Sequence, residues 1–381
     1  MPGWLAVGPL YIALLYALWQ GRNYFRWQRA KRNLPDDAPV DGKLNFAIIV
    51  PFRNEAENLP RLLDDLLAQD YNPDRYDILL IDDHSEDGGI EGADGLEDER
   101  VRLFHLSDYP DLITRNAYKK AAITLGVSET TADVIVTTDA DCRLPPTWLR
   151  QLAAHFHRGE QVVLGPVWID PVDDYWDAFQ ALDLAGYQLY TAACVAGRHP
   201  NLANGANFAF RRSAFREVGG YAGVNHLPSG DDVLLLHKFV RFGVRQVGTA
   251  CRTEAVVSTA PEKGWRALWQ QRLRWAGKAG QYGSHSLNWA QVLSYVTSLS
   301  ILLSLPFGIY DMRILFAGVG TFAVKWIVDY YLLRDVCHYY DRGDLMRWYP
   351  SVQAFYPIYL VAVGTAALFG AKTTWKGRPA R

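Results

Sequence analysis

The chain of 381 residues has only four cysteines, Cys142, Cys194, Cys251 and Cys337, spaced too widely for a zinc or dithiol motif. Unpaired thiols in a reducing compartment are the simplest reading. It also lacks a basic excess: 39 Lys and Arg against 41 Asp and Glu give a formal net charge of −2. That balance argues against bulk nucleic-acid binding. Neither G-x-x-x-x-G-K-[ST] nor G-x-G-x-x-G occurs, so the usual phosphate cradle and the dinucleotide turn are both missing. Long apolar runs are absent from the middle of the chain and fall at its two ends. The middle therefore reads as a water-soluble domain between hydrophobic flanks.

The first flank, "WLAVGPLYIALLYALW" (4–19), is nearly uncharged and about the minimum length for a span. The Lys- and Arg-rich "GRNYFRWQRAKR" (21–32) follows it. A cleaved signal peptide would carry its positive charge first, so an uncleaved anchor over residues 1–22 is expected. The positive-inside rule then places the following residues in the cytoplasm. Segments 290–309, 313–333 and 351–370 are further candidate spans within a C-terminal membrane region, 286–372. Pro306 and Gly308 in the first of them, and Lys325 and Asp329 in the second, leave a tilted or re-entrant hairpin open. Four full crossings would put the basic tail "KTTWKGRPAR" outside; an incomplete hairpin returns it. The expected location is the inner cell membrane, multi-pass, with the soluble domain facing the cytoplasm.

In that domain, expected over residues 44–260, short apolar strands alternate with helical patterns. "LNFAIIVP" (44–51), "YDILLIDD" (76–83), "VRLFHL" (101–106) and "ADVIVTTD" (132–139) read as strands. Between the first two, Leu59, Leu62, Leu63, Leu66 and Leu67 form a helical stripe that Asn54 and Glu57 are expected to cap. A second helix is expected near 111–126. Such alternation implies an α/β fold with a mostly parallel sheet, and ligands gather at the carboxyl ends of its strands. Those ends carry Arg53, Asn54 and Glu55, then Asp82 and Asp83, then Asp139 and Asp141.

Asp139 and Asp141 raise a charge question, because no basic residue lies nearer in sequence than Arg143. A divalent cation, Mg2+ or Mn2+, would answer it. Such ions take one or two carboxylates and complete their shell with substrate phosphate oxygens. Alternation along a strand would put both side chains on one face. A solvated strand end is the bland alternative for a lone D-x-D.

The wider pattern resembles the family 2 glycosyltransferases, whose membrane members include cellulose, hyaluronan and poly-N-acetylglucosamine synthases and ceramide glucosyltransferases. The resemblance rests on "IVPFRNEAENL" (49–59), "LLIDDHSEDG" (79–88), "KKAAITLG" (119–126) and "TTDADCRLPPTWL" (137–149). It continues through "NGANFAFRRSAFREVGGY" (204–221), "SGDD" (229–232) and "QQRLRW" (270–275), in the family's order. It implies a GT-A-like nucleotide-sugar-binding domain flanked by transmembrane or interfacial helices.

The resemblance also implies roles. Pro51 and Glu55 would cup the nucleotide, and Asp82 or Asp83 would meet its base and ribose. Lys120, a better match than Lys119, would reach the nucleotide, and Asp141 with Asp139 would hold the metal. Asp232 would be the general base, its proton affinity raised by Asp231. Asn204, Gly205 and Asn207 are acceptor or sugar candidates, with a plain polar turn as the alternative.

Residues 261–285 read as an interfacial helix. Gln271, Arg274 and Trp275 share one face at i, i+3 and i+4, matching the family's Q-x-x-R-W pattern. Arg274 would meet the leaving diphosphate and Trp275 would floor the acceptor site, while Trp265, Arg266, Trp269 and Lys278 suit a membrane side. Taken together, the expectation is a membrane-bound, metal-dependent, inverting hexosyltransferase. It would take a nucleotide sugar, a UDP-sugar first, and serve a lipid, lipid-linked or glycan acceptor, without nucleic acid. A processive polysaccharide synthase and a catalytically silent nucleotide-sensing scaffold are the competing readings.

Overall fold

The structure, a computed structural model, describes residues 3–36, 43–88, 96–114, 116–277, 285–371, 374–375 and 378–379. Lys278, residues 89–95 and most of the basic tail lie outside them. The chain divides into two compact units. One comprises Ala30–Asp170 and Gly197–Ala260; the other comprises Met1–Arg29, Pro171–Ala196 and Pro261–Arg381.

In chain order the elements are α1 (Gly3–Arg32), β1 (Phe46–Phe52), α2 (Leu59–Leu67), β2 (Tyr76–Asp82), β3 (Val101–His105) and α3 (Tyr118–Ser128). There follow β4 (Val134–Thr137), β5 (Cys142–Arg143), α4 (Trp148–His157), β6 (Val162–Leu164), β7 (Val167–Ile169) and α5 (Tyr175–Ala196). Next come β8 (Phe208–Arg211), α6 (Arg212–Glu217), α7 (Val233–Arg241), β9 (Val247–Thr249) and β10 (Val257–Thr259). Helices α8 (Trp265–Ala276), α9 (His285–Gly308), α10 (Met312–Tyr339) and α11 (Tyr349–Leu368) come next, before a short strand pair at Thr374–Trp375 and Arg378–Pro379.

The first unit is an α/β domain with a seven-stranded sheet in the order β3-β2-β1-β4-β8-β6-β9. Every neighbouring pair is parallel except those made by β8, which runs against β4 and β6. Residues 46–50 and 78–81 have no exposed surface, as strands covered on both faces require. Leu59, Leu62, Leu63 and Leu66 bury one face of α2. Because β1, β2 and β4 are parallel, their carboxyl ends share one edge. The reversal at β8 brings its leading residues, 204–207, to that same edge, with Phe208 opposite Thr137.

Three local expectations need correction. Helix α2 starts at Leu59, not at Asn54; Asn54 has φ +53°, a left-handed conformation that asparagine tolerates. There it staples two loops, donating its N–H to Ser85 Oγ (2.9 Å) and accepting from Glu86 N (2.8 Å). The helix expected near 111–126 begins at Tyr118, because Asn116 has φ +64° and ends any regular run before it. Strand β4 stops at Thr137, so Asp139 and Asp141 sit in a turn, closed by Cys142 N to Asp139 O at 3.2 Å. Turn geometry, not strand alternation, sets their directions.

The second unit is helical and includes α5, which lies inside the span read as one soluble domain. Its α1 buries Ala13, Tyr16, Asn23 and Trp27 along one face. From that face Tyr16 donates to Asp329 Oδ1 and Trp27 Nε1 to Asp335 Oδ2, both at 2.6 Å. Lys325 and Asp329 of α10 pair with each other in the interior, and Gln353 of α11 donates to Asp329 (2.9 Å). The two buried charges therefore answer one another. Gly318 lets α10 approach α9, since a Cβ there would fall 1.8 Å from Ser304 Oγ. Among the described residues, two helices, Leu287–Gly308 and Tyr349–Leu368, are long and apolar enough to cross a membrane.

Candidate functional site

Asp139, Asp141, Glu55 and the acids of residues 231–232 gather at the carboxyl edge of the sheet. The Asp139–Asp141 turn is held at its exit. Strand β5 pairs with β10, and Arg143 forks onto Asp65 of α2 at 2.6 and 2.7 Å. The nearest basic residue in sequence is thus engaged elsewhere. Asp141 accepts weakly from Thr259 Oγ1 at 3.4 Å. Burial of the turn, then the charges of Asp139 and Glu55, push the Asp141 carboxyl up to about 6, although its tip still reaches solvent.

The compensating cation inside the protein is Lys119. Its Nζ lies 2.5 Å from Asp139 Oδ1 and 3.4 Å from Asp231 Oδ2. Burial alone would lower its pKa; Asp139, Asp231 and Asp232 outweigh burial and hold it above the usual lysine value. Lys120, which sequence matching favoured, turns away from the acids. It is 2% exposed and donates to the carbonyls of Val224 (2.8 Å) and Leu227 (2.9 Å). It therefore anchors the loop leading to Asp231. Adjacent residues on a helix point about 100° apart, so only the phase at the start of α3 decides which lysine faces the acids.

Asp232 caps α7, taking Val233 N (2.7 Å) and Gly205 N (3.1 Å) on its two oxygens. Gly205 packs closely against the acids: a Cβ would sit 3.0 Å from Asp231 Oδ2 and 3.2 Å from Lys119 Nζ. The carbonyl of Gly205 accepts from Thr137 Oγ1 (2.8 Å), and Asn204 Oδ1 accepts from Ala206 N (3.1 Å). Asn207 does not face an acceptor. It is fully buried, donates to Pro166 O and Ala255 O, and accepts from Trp148 Nε1, each at 2.9 Å. Its polar capacity goes into fastening three segments together.

At the β2 end, Asp82 accepts from Ser85 N (3.0 Å) and meets His105 Nδ1 (3.2 Å), its cross-strand partner. Asp83 is buried against His84 Nδ1 at 2.9 Å, and Arg53 Nη1 donates to its carbonyl at 3.1 Å. Pro51 lies in β1 beside Ile81, half-buried. Glu55 accepts from Asn58 Nδ2 (2.7 Å). The two histidines carried no spacing signal in the sequence.

Gln271, Arg274 and Trp275 lie on α8 in the helical unit, where one face of α5 grips that helix. Gln180 and Glu262 exchange bonds (Nε2 to carbonyl O, 3.1 Å; N–H to Oε1, 2.9 Å), and Gln271 donates to Glu262 Oε1 at 2.8 Å. One turn along, Asp183 pairs with Arg272 at 3.1 Å. A further turn along, the ring of Tyr187 meets Trp275 edge-on at 6.0 Å, and the Arg272 guanidinium lies 4.3 Å from the centre of the Trp275 ring. Residues 180, 183 and 187 recur at helical spacing, but α5 is apolar enough all round that its sequence does not mark them.

Among the described residues, no three His, Cys, Asp or Glu side chains assemble a complete metal cage. Asp139 and Asp141 instead offer a hard-oxygen pair of the sort Mg2+ or Mn2+ completes with substrate phosphates and water. The residues present fit such an ion.

A profile described as "Glycosyl transferase family 2" matches residues 47–219, and one described as "Glycosyl transferase family group 2" matches residues 134–337, more than half of the chain. The chain belongs to this glycosyltransferase family. It is 30% identical over 126 residues to an undecaprenyl-phosphate 4-deoxy-4-formamido-L-arabinose transferase of Proteus mirabilis. That match spans 32% of the chain and 36% of the relative's length. Among solved structures, the mannosyltransferase PcManGT from Pyrobaculum calidifontis, in complex with GDP-Man and Mn2+, superposes with a TM-score of 0.58 at 20% identity. The match covers 96% of this chain and 97% of that one. The likeness confirms the GT-A-like fold expected of this glycosyltransferase.

Proposed function

We propose that this glycosyltransferase moves one sugar from a nucleotide-sugar donor, with a UDP-sugar the first to test, to a lipid-linked acceptor at a membrane. The observation that carries the reading is Lys119 lying between Asp139 and Asp231, because it draws the D-x-D turn and the second acid pair to one point. An inverting displacement needs both in one place: a grip on the departing diphosphate and a base for the incoming hydroxyl. A lipid acceptor is supported by the name of the Proteus relative and by two helices apolar enough to span a bilayer. A divalent ion is supported by the Asp139–Asp141 pair and by the Mn2+ in the Pyrobaculum structure.

In this mechanism Asp232 takes the proton of the attacking acceptor hydroxyl, its orientation fixed by the N–H groups of Val233 and Gly205. Asp231 lies beside it and sets the position of Lys119. Asp139 and Asp141 would hold the cation, which when bound would neutralise charge on the leaving diphosphate. Lys119 would add a fixed positive charge to the same task. Glu55, Pro51, Asp82 and Asp83 remain assigned to the nucleotide, Arg274 to the diphosphate and Trp275 to the acceptor.

The test uses the full chain with a panel of nucleotide sugars and a polyprenyl phosphate, with and without EDTA. Cation-dependent release of nucleotide coupled to one added sugar per lipid supports the reading. Products of graded length would favour a processive synthase. No release from any donor in the presence of Mn2+ would favour a silent scaffold.

A further inference from the structure

Helix α1 carries a groove that the catalytic reading does not use. Its inner face is pinned by Tyr16 and Trp27, so the opposite stripe is turned outward. Leu14, Leu15 and Leu18 on that stripe are 55%, 51% and 64% exposed, and Phe25 is 75% exposed. Arg22, Arg26 and Arg29 follow at i, i+4 and i+7, hence on one face. A groove of about 580 Å³ runs there, lined by Ala17, Leu18, Gly21, Phe25 and the three arginines. A Cβ on Gly21 would meet nothing within 4 Å, so the notch above it is open. Among the described residues, none of the three arginines has an ion-pair partner.

Three guanidinium groups without an ion-pair partner among the described residues, beside exposed leucines, call for a ligand that is anionic at one end and apolar at the other. Guanidinium forks match phosphate oxygens in pairs. Along the helix axis the face changes from apolar to basic, in the order in which a lipid runs from acyl chain to headgroup. A free phosphate would account for the arginines and leave Leu18 and Phe25 unexplained. We propose that this groove binds the phosphate of an anionic phospholipid of the bilayer. The phosphate lies among Arg22, Arg26 and Arg29, and an acyl chain runs over the Gly21 notch along Leu18 and Leu14. The inference rests on the membrane reading above and adds a specific lipid site to it.

The experiment uses the full chain in nonionic detergent, titrated in native mass spectrometry with phosphatidylglycerol, with phosphatidylcholine of the same acyl chains and with inorganic phosphate. Phosphatidylglycerol is expected to bind on the order of tenfold to a hundredfold more tightly than phosphatidylcholine. Arg22→Gln/Arg26→Gln/Arg29→Gln should abolish that preference. Gly21→Leu keeps every charge and favours the helix, yet should weaken phosphatidylglycerol binding severalfold by filling the notch. Retained donor binding by both variants reports that they fold. A preference unchanged by the triple substitution, indifference to Gly21→Leu, or displacement of the lipid by equimolar inorganic phosphate would each overturn the site. Alkaline carbonate extraction separates the two claims. Release of the wild-type chain into the aqueous fraction sinks the membrane reading itself, whereas retention without a lipid preference sinks only the groove.

Discussion

Lys119 Nζ lies 2.5 Å from Asp139 and 3.4 Å from Asp231, so one ammonium group joins the D-x-D turn to the start of α7. Lys119→Met leaves both acids without that charge. Transfer should fall by at least about a hundredfold, as for loss of a group that stabilises developing charge. Stability should fall by about 1–3 kcal/mol, below the buried-pair range because Asp139 reaches solvent. Lys120→Met should act differently, losing its bonds to Val224 and Leu227 and loosening that loop. Steady-state kinetics with denaturant melts compare them. Equal losses of rate in the two variants would show that Lys119 has no special place.

Asp141 gives the site a pH dependence of definite sign. Its carboxyl is pushed up to about 6, first by burial and then by Asp139 and Glu55. A cation needs the ionised form, so Mn2+ affinity should rise by up to about tenfold per pH unit on approaching that value and level off above it. The metal-free protein should show the opposite trend in stability. A raised folded-state pKa favours the protonated form, so this contribution to stability is complete below the ordinary carboxyl range and is lost as pH climbs through about 6. Paramagnetic Mn2+ titrations between pH 5 and 7 test it. Asp141→Asn should bind weakly with a flattened profile; an unchanged slope would move the titration to another group.

The strands and the α2 stripe were legible because alternation of apolar runs with a leucine face has no other economical solution. The acids at the carboxyl ends followed from the parallel arrangement. What could not be read were features set by backbone phase and by closures far apart in sequence. Lys119 and Lys120 are adjacent, and only the start of α3 at Tyr118 separates their roles. Asn207 reads as a polar turn residue until Pro166, Ala255 and Trp148 are seen around it. Asn54 and Glu57 fit a capping pattern, yet the left-handed backbone at Asn54 postpones the helix to Leu59.

Asp232 and Asp231 should separate on substitution. Asp232→Asn keeps an acceptor oxygen for the Val233 N–H but removes the base, so transfer should be lost while donor binding survives. Asp231→Asn weakens the grip on Lys119 and should lower turnover less. Donor affinity by calorimetry alongside transfer rates makes the comparison. Near-normal turnover in Asp232→Asn would remove it from the base role.

Asp183 and Arg272 test whether α5 acts on catalysis or only on folding. Their side chains are 1% and 3% exposed, so Asp183→Asn strands a buried guanidinium and should cost about 3–5 kcal/mol. Replacing both partners, Asp183→Leu with Arg272→Met, removes the charges together and should recover most of that stability, since buried pairs exchanged for apolar residues are often near neutral. If the pair also sets α8, and with it Gln271 and Trp275, the double variant should stay folded yet show a raised acceptor KM with donor binding intact. Full recovery of acceptor KM along with stability would assign the pair to folding alone.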